Sequence, residues 1–442
     1  MNQRTTTSSH PRGLYFLFFV ELWERFSYYG MRAILVLYLT ATTVEGGLGW
    51  EMAESLSLYG TYTGLVYLTP LIGGYIADHF LGQRRAIVLG GGLMVLGHFL
   101  MAYQVDWAFY TALGLIIAGN GFFKPNIATM VGGLYKEGDP RRDAGFTIFY
   151  MGVNAGAFLA PLVCGWLAQE YGWHYGFAAA GVGMVIGQIA FMLAARAGVF
   201  GQLGVDPGEK VSKRAGNGLK PEKGLSKEET DRVAVIFTLA VFVIFFWAGF
   251  EQAGGYMNLY AQDFTDRVLF GWEVPAAWFQ SLNPLFIVLL GPVMSELWIR
   301  MGQRGKDPVT PVKMATGLFL LGFGFLFMIG SALQQGDAEV ARASMMWLVL
   351  TYLFHTVGEL CLSPVGLSMV TKLAPVQYAA MLMGTWYLSN AAANKLACFV
   401  GAMLGEIGPI TLFGTLAGVV IFISFVLFAL AKKLAWMMHG KG

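Results

Sequence analysis

Charge is what this chain has least of. Only 13% of its 442 residues are Asp, Glu, Lys or Arg, against about 25% in a soluble globular domain. That scarcity excludes an ordinary solvated surface. A formal net charge of +2 leaves no basic field with which to hold nucleic acid. Cysteine is nearly absent as well. The three present, Cys164, Cys361 and Cys398, all lie in apolar runs, so they read as small buried hydrophobes and not as disulfides or metal ligands. No His-Glu-x-x-His zinc pattern occurs, and Gly90-Gly91-Gly92 and Gly132-Gly133 lack the strand–loop–Lys context of a phosphate cradle. With no nucleophile–base pairing in view, a membrane-embedded hydrolase is disfavoured, and the chain reads as a non-enzyme without metal or cofactor.

What is there is apolar: 56% of the residues are hydrophobic, gathered into runs at about 13–39, 53–77, 86–104, 108–132, 145–169, 176–199, 233–260, 275–299, 312–332, 343–371, 379–404 and 410–434, each close to the ~20 residues that cross a bilayer. The expected fold is therefore all-α and polytopic, with about twelve transmembrane helices in two pseudo-symmetric six-helix bundles. The polar start, 1–12, precedes a span too long for a signal h-region, so no cleavable signal is expected. Links rich in Lys and Arg (Arg84-Arg85, Lys136 with Arg141-Arg142, 201–231, Arg304 with Lys306, Lys372, Lys432-Lys433) alternate with acidic ones (45–54, Asp106, Glu170, 263–266, 337–339, Glu406). The positive-inside rule then sets both termini in the cytoplasm. The Gly, Lys and Glu-rich stretch 201–231 divides the chain into an N-terminal bundle, 1–200, a cytoplasmic linker, 201–231, and a C-terminal bundle, 232–442. A weak echo of 74–85, after the second span, recurs at 295–306 after the eighth. Duplicated halves of this kind suit a secondary transporter.

The first span carries the charges. Glu21, Glu24, Arg25, Tyr28, Tyr29 and Arg32 fall within an arc of roughly 140° at 100° per residue, a stripe about 17 Å long. A charge at the bilayer centre costs on the order of 3 kcal/mol, so the stripe has to face water or other helices. Glu21 and Arg25, four apart, can neutralise each other; Arg32 has no acid partner nearby in the sequence and needs an anion from elsewhere. Lys124 in the fourth span sits beside Pro125, which is expected to kink the helix. Asn154 lies in the fifth span, Glu251 mid-span in the seventh, Asn283 in the eighth and Glu359 in the tenth. Trp386, Ser389, Asn390, Asn394 and Lys395 lie in the eleventh. Glu251 is the best candidate for a proton carrier that exchanges partners with Lys124 or Arg32. His98 and His355 are read as structural. Buried cations in the N-terminal half (Arg25, Arg32, Lys124) and buried acids in the C-terminal half (Glu251, Glu359) would form a dipolar pocket suited to a zwitterion. Tyr28, Tyr29, Tyr67, Trp247, Phe286 and Trp386 are its candidate lining.

These motifs resemble the proton-coupled oligopeptide transporter family of the major facilitator superfamily, over essentially the whole chain. The run from Glu21-Leu22-Trp23-Glu24-Arg25-Phe26-Ser27 to Tyr28-Tyr29 is similar to the family's Glu-x-x-Glu-Arg-Phe-x-Tyr-Tyr element. Phe123-Lys124-Pro125-Asn126 and the run from Phe149 to Gly156 resemble its two signature regions. Gly358-Glu359-Leu360 with Ser363-Pro364-Val365-Gly366 resembles its tenth-helix motif. The loop at 74–85 resembles the superfamily loop, with Asp78 to Gly82 one residue longer than the common spacing. The resemblance implies proton-driven import of di- and tripeptides across a bacterial inner membrane by a monomer, with the proton as coupling ion. It implies proton coupling by Glu21, Glu24, Arg25 and Glu251. The peptide carboxylate would lie near Arg32 and Lys124, and its amino group near Glu359, Asn154 and Asn283. Tyr28, Tyr29, Tyr67, Trp247 and Trp386 would form side-chain pockets, and Ser389 joins the substrate contacts. Neither two extra helices between the halves nor a large extracellular domain is present, which suggests a compact bacterial form. The second-helix His of animal members has no counterpart. The alternatives on the same fold are a carrier of another small anion such as nitrate and a drug or peptide-like exporter.

Overall fold

The computed structural model describes residues 9–103, 105–136, 139, 141–207, 225–338, 340–375 and 378–441. Most of the linker, 208–224, and the acidic Glu339 lie outside the described residues. Among the described residues the chain is a succession of long helices: α1 (Arg12–Thr40), α2 (Met52–Ile76), α3 (Gln83–Met101), α4 (Asp106–Gly133), α5 (Arg142–Tyr171), α6 (Trp173–Arg196), α7 (Lys227–Asp263), α8 (Leu282–Gln303), α9 (Thr310–Gln335), α10 (Met345–Leu373), α11 (Ala379–Gly405) and α12 (Pro409–Met437). Eight of the spans are apolar and long enough to cross a membrane by composition alone. The other four, α1, α2, α4 and α11, are the ones diluted by buried charges, amides, hydroxyls and glycines.

Packing divides the chain into two compact units, one of 1–31 with 68–218 and one of 32–67 with 219–442. The sequence boundary at 200 and the packing boundary therefore differ, because the second half of α1 and the first part of α2 pack within the second unit. In the first unit, Leu14, Leu17 and Val20 of α1 close on Met94 of α3, Phe123 and Met130 of α4, and Met184 and Phe191 of α6. Phe200 and Leu203 join that core, so the start of the expected linker is folded. Arg84 ties it down by donating from Nε to the Leu203 carbonyl at 2.6 Å and from Nη2 to the Gly201 carbonyl at 2.7 Å. At the linker's other end Ser226 and Glu229 form a capping box that starts α7 at Lys227, earlier than the apolar run announces.

The extra residue between Asp78 and Gly82 has a structural counterpart. Ala77–Leu81 forms a single π-turn, closed by the Gly82 N–H on the Ala77 carbonyl at 2.8 Å, the usual way for a helix to absorb an insertion. Pro125 lies inside α4 without ending it. Lacking an N–H, it leaves the Gly121 carbonyl without its helical donor, and α2 crosses there. A Cβ on Gly73 would stand 2.1 Å from that oxygen, and Thr69 donates to the Ile117 carbonyl at 3.0 Å one turn away.

In the second unit α9 packs along α10 and α12, and α7 along α11. Two short ladders, invisible to hydropathy, tie the links: β1 (Thr265–Asp266) pairs in parallel with β4 (Ala343–Ser344), and β2 (Val268–Leu269) pairs with β3 (Trp272–Glu273) as a hairpin. Because α2 rests on bare backbone at Gly73, Gly73→Ala is expected to cost about 1–3 kcal/mol. Gly92→Ala, with nothing within 4 Å of the new methyl, is expected to stabilise by up to ~1 kcal/mol. Thermal unfolding of the two detergent-solubilised variants checks the contrast.

Candidate functional site

The seventh span is not the continuous helix that its hydropathy suggests. Its first segment ends at Phe250, a 3-10 turn covers Glu251–Ala253, and helix resumes at Tyr256–Asp263. Gly254 and Gly255 occupy the break. Broken backbone at membrane depth is tolerated only where protein or water satisfies the freed groups. Here the Gly254 N–H donates to the Glu251 carbonyl at 3.2 Å and the Gly255 N–H to the Gln252 carbonyl at 3.1 Å, and side chains of the segment anchor it to neighbouring helices. Gln252 donates to the Ala397 carbonyl of α11 at 2.7 Å, and Asn258 donates to the Ala33 carbonyl of α1 at 2.8 Å.

The break places Glu251 against Arg32. The two are buried and joined through Nη2 and Oε2, while Arg32 Nε donates to the Tyr59 hydroxyl at 2.6 Å. Sequence reading left Arg32 in want of an anion and Glu251 with two possible partners; the geometry selects one for each. Arg32 and Glu251 also lie in one packing unit, although the sequence boundaries assign them to opposite halves. Tyr59 is a site residue that sequence reading missed. It precedes Tyr67 by two helical turns on the same face of α2, a spacing that could have found it. The fit is close: a Cβ on Gly254 would stand 2.0 Å from the Tyr59 hydroxyl and 3.1 Å from Arg32 Nη2.

A second polar group in this unit centres on Glu359, which is buried in α10. Asn283 Nδ2 of α8 donates to its Oε2 at 2.8 Å and to the Thr356 hydroxyl at 3.1 Å. The structure thus brings together two of the residues expected around an amino group. Trp386 is buried, with its ring over the backbone of Gly366, where a Cβ would approach Cζ2 to 2.5 Å; the glycine of the tenth-helix motif is its platform. Trp247 is half-buried between Phe246 and Phe250, at ring distances of 5.5 and 5.1 Å. Ser389 is buried and donates to the Thr385 carbonyl of its own helix at 3.4 Å. Tyr67 is half-buried on α2.

The first unit holds the other charged group. Arg25 meets Glu21 at 3.1 Å and also bonds Glu24. Asn120 Nδ2 of α4 donates to Glu24 at 3.3 Å, and Lys124 is close enough for its charge to act on Glu21. Asn120 was missed although it lies four residues before Lys124, on the same face of α4. The Arg25 guanidinium lies 5.6 Å from the Tyr28 ring centroid, and Tyr28 meets Tyr29 edge-on at 5.2 Å. Gly156 of the second signature lets α5 touch α1 beneath this group, since a Cβ there would stand 2.2 Å from the Leu22 carbonyl. Asn154 turns Nδ2 back to the Tyr150 carbonyl at 3.0 Å. The two histidines within spans are enclosed and held by packing: neither ring nitrogen of His98 meets a hydrogen-bond partner among the described residues, and His355 packs on Phe325 at 4.6 Å. All three cysteines are buried.

An all-helical array of bilayer length, with ionisable clusters buried on its spans and one span broken at an acid, defines a multi-pass membrane protein of the major facilitator fold. A family model described as POT family (PTR2) matches residues 84–217 and 217–410, and the chain belongs to that family. It is 36% identical to the peptide transporter YePEPT of Yersinia enterocolitica, over 90% of this chain and 88% of that one. It is 33% identical to a di-/tripeptide transporter of Lactococcus lactis, over 98% and 97%. A mutant of the peptide transporter POT, solved with alafosfalin, superposes with a TM-score of 0.88 at 37% identity over 98% and 97% of the two chains. A POT family transporter solved with 5-aminolevulinic acid gives a TM-score of 0.88 at 32% identity over 97% and 98%.

Hydrogen bonds to charged groups contribute about 1.5–3 kcal/mol. Tyr59→Phe is therefore expected to lower thermal stability by an amount in that range, and Gly254→Ala, which forces Arg32 and Tyr59 apart, by more. Melting of the detergent-solubilised variants against wild type reads both.

Proposed function

We propose that the chain is a proton-coupled symporter that imports di- and tripeptides by alternating access, as a monomer in a bacterial plasma membrane with both termini cytoplasmic. The observation that carries the reading is the buried Arg32–Glu251 pair in a chain of this family. While Glu251 is ionised it occupies the guanidinium. When it takes a proton the pair loses its charge attraction, and Arg32 becomes free for the carboxylate of a peptide. Proton and peptide then bind together, which is symport; loss of the proton restores Glu251 as a competitor and expels the carboxylate. Glu359, held by Asn283, offers the negative charge that a peptide ammonium requires. The Glu21–Glu24–Arg25 group with Lys124 adds further carboxylates that a proton can visit. The relatives named as peptide transporters support the substrate class. Nitrate on the same fold would leave Glu359 with no cation to serve, and competition between dipeptide and nitrate separates the two. Export would appear as transport of the opposite sidedness.

The test is uptake of labelled dialanine into proteoliposomes with an alkaline interior. Wild type is expected to accumulate the peptide. Glu251→Gln, which cannot ionise, is expected to keep peptide exchange without a gradient and to lose at least about tenfold of the gradient-driven rate. Undiminished gradient-driven uptake by that variant would refute the switching role.

A further inference from the structure

The charges on the spans of the second unit do not all cancel. Arg32 is balanced by Glu251. Lys395 of α11 is an exposed cation whose described hydrogen bond is to a neutral group, the Thr61 hydroxyl of α2 at 2.7 Å. No carboxylate lies within ion-pair distance of it among the described residues. It stands ten residues before the end of α11 at Gly405, which is about 15 Å along the axis, further than a lysine stem reaches to the membrane surface. An ammonium at that depth is tolerated where it faces water and not lipid tails. Its surroundings are those of the site already described. Cys398, one turn further along α11, lies within the fields of Lys395, Arg32 and Glu251 together, and packs on Gly60 next to Tyr59, where a Cβ would stand 2.5 Å from Cys398 Cβ.

We propose that Lys395 is a side-chain subsite that selects peptides carrying an acidic residue. The inference rests on the peptide reading above, which assigns the terminal carboxylate to Arg32 and so leaves Lys395 for a second one. Its partner Thr61 can release the ammonium without leaving a charge behind, because the hydroxyl also donates to the Ser57 carbonyl of its own helix at 2.8 Å. An Asp or Glu side chain of the substrate would replace a bond to a neutral hydroxyl with one in which both partners are charged. A neutral side chain would leave Lys395 as it stands.

Ala-Glu and Ala-Gln have the same shape and differ in one charge, so their kcat/KM ratio in proteoliposome uptake reads the subsite directly. Wild type is expected to favour Ala-Glu. In Lys395→Gln the ratio is expected to fall about tenfold while Ala-Gln uptake persists, and Lys395→Arg is expected to restore most of it. Persistence of Ala-Gln uptake also shows that the variant is folded. If both peptides lose uptake by the same factor, Lys395 serves a common step such as gating and the subsite is overturned. An unchanged ratio overturns it as well. A wild type that takes up neither peptide defeats the transporter reading first and the subsite with it.

Discussion

The Arg32–Glu251 ion pair is the interaction from which the second unit is organised. Neither charge is stable alone in a region without bulk water: an isolated ion there carries a penalty of several kcal/mol. Each therefore requires the other, and the backbone has to bring them together. That requirement accounts for the local departures from regular structure. The break at Glu251–Ala253 swings the carboxylate towards α1. The small residue at Gly254 admits the Tyr59 hydroxyl, and Gln252 and Asn258 spend their amides on neighbouring helices. A continuous α7 with larger residues at the break would bury more apolar surface, but it would leave two ions unmatched.

Much of this was legible in the residues, and the boundary of what was legible follows from physics. Span positions come from a sum over some twenty side chains, which tolerates error at any one, so all the long helices lie close to where hydropathy sets them. The stripe on α1 was visible because a helix has a fixed angular step. The partners were not visible. Nothing in the local spacing says that Glu251 meets Arg32 and not Lys124, because that depends on how helices far apart in sequence cross. The same summation hid the break in α7: two glycines in an apolar run leave the average almost unchanged, although they alter where Glu251 points. The ladders at Thr265–Asp266 and Ala343–Ser344 were out of reach for a further reason. A two-residue strand has no periodicity to read.

Motif residues that look chemical divide into groups that act and groups that make room. In the second signature, Gly156 lets α5 reach the backbone of α1 below Arg25. In the tenth-helix motif, Gly366 seats Trp386 while Glu359 carries the charge. In the first signature, Asn126 returns its amide to the Phe122 carbonyl of its own helix at 2.7 Å, while Lys124 lies close enough for its charge to act on Glu21. A charged residue on a span is useful only if its neighbours hold it in one direction, and small residues allow the helix contacts that do so.

The choice of arginine at position 32 shows how such holding works. Its guanidinium is a planar fork with donors on separate edges. Nε is given to Tyr59 and Nη2 to Glu251. Under the switch proposed above, neutralising Glu251 would cost the fork one partner but leave it the other, so the cation would stay aimed at the place the carboxylate had left. A lysine would lose its orientation with its partner, since three equivalent donors on a flexible stem define no plane. On that proposal the tyrosine is what would make the salt bridge exchangeable: it would bear the cost of orientation in both protonation states, and an incoming carboxylate would meet a cation already in position.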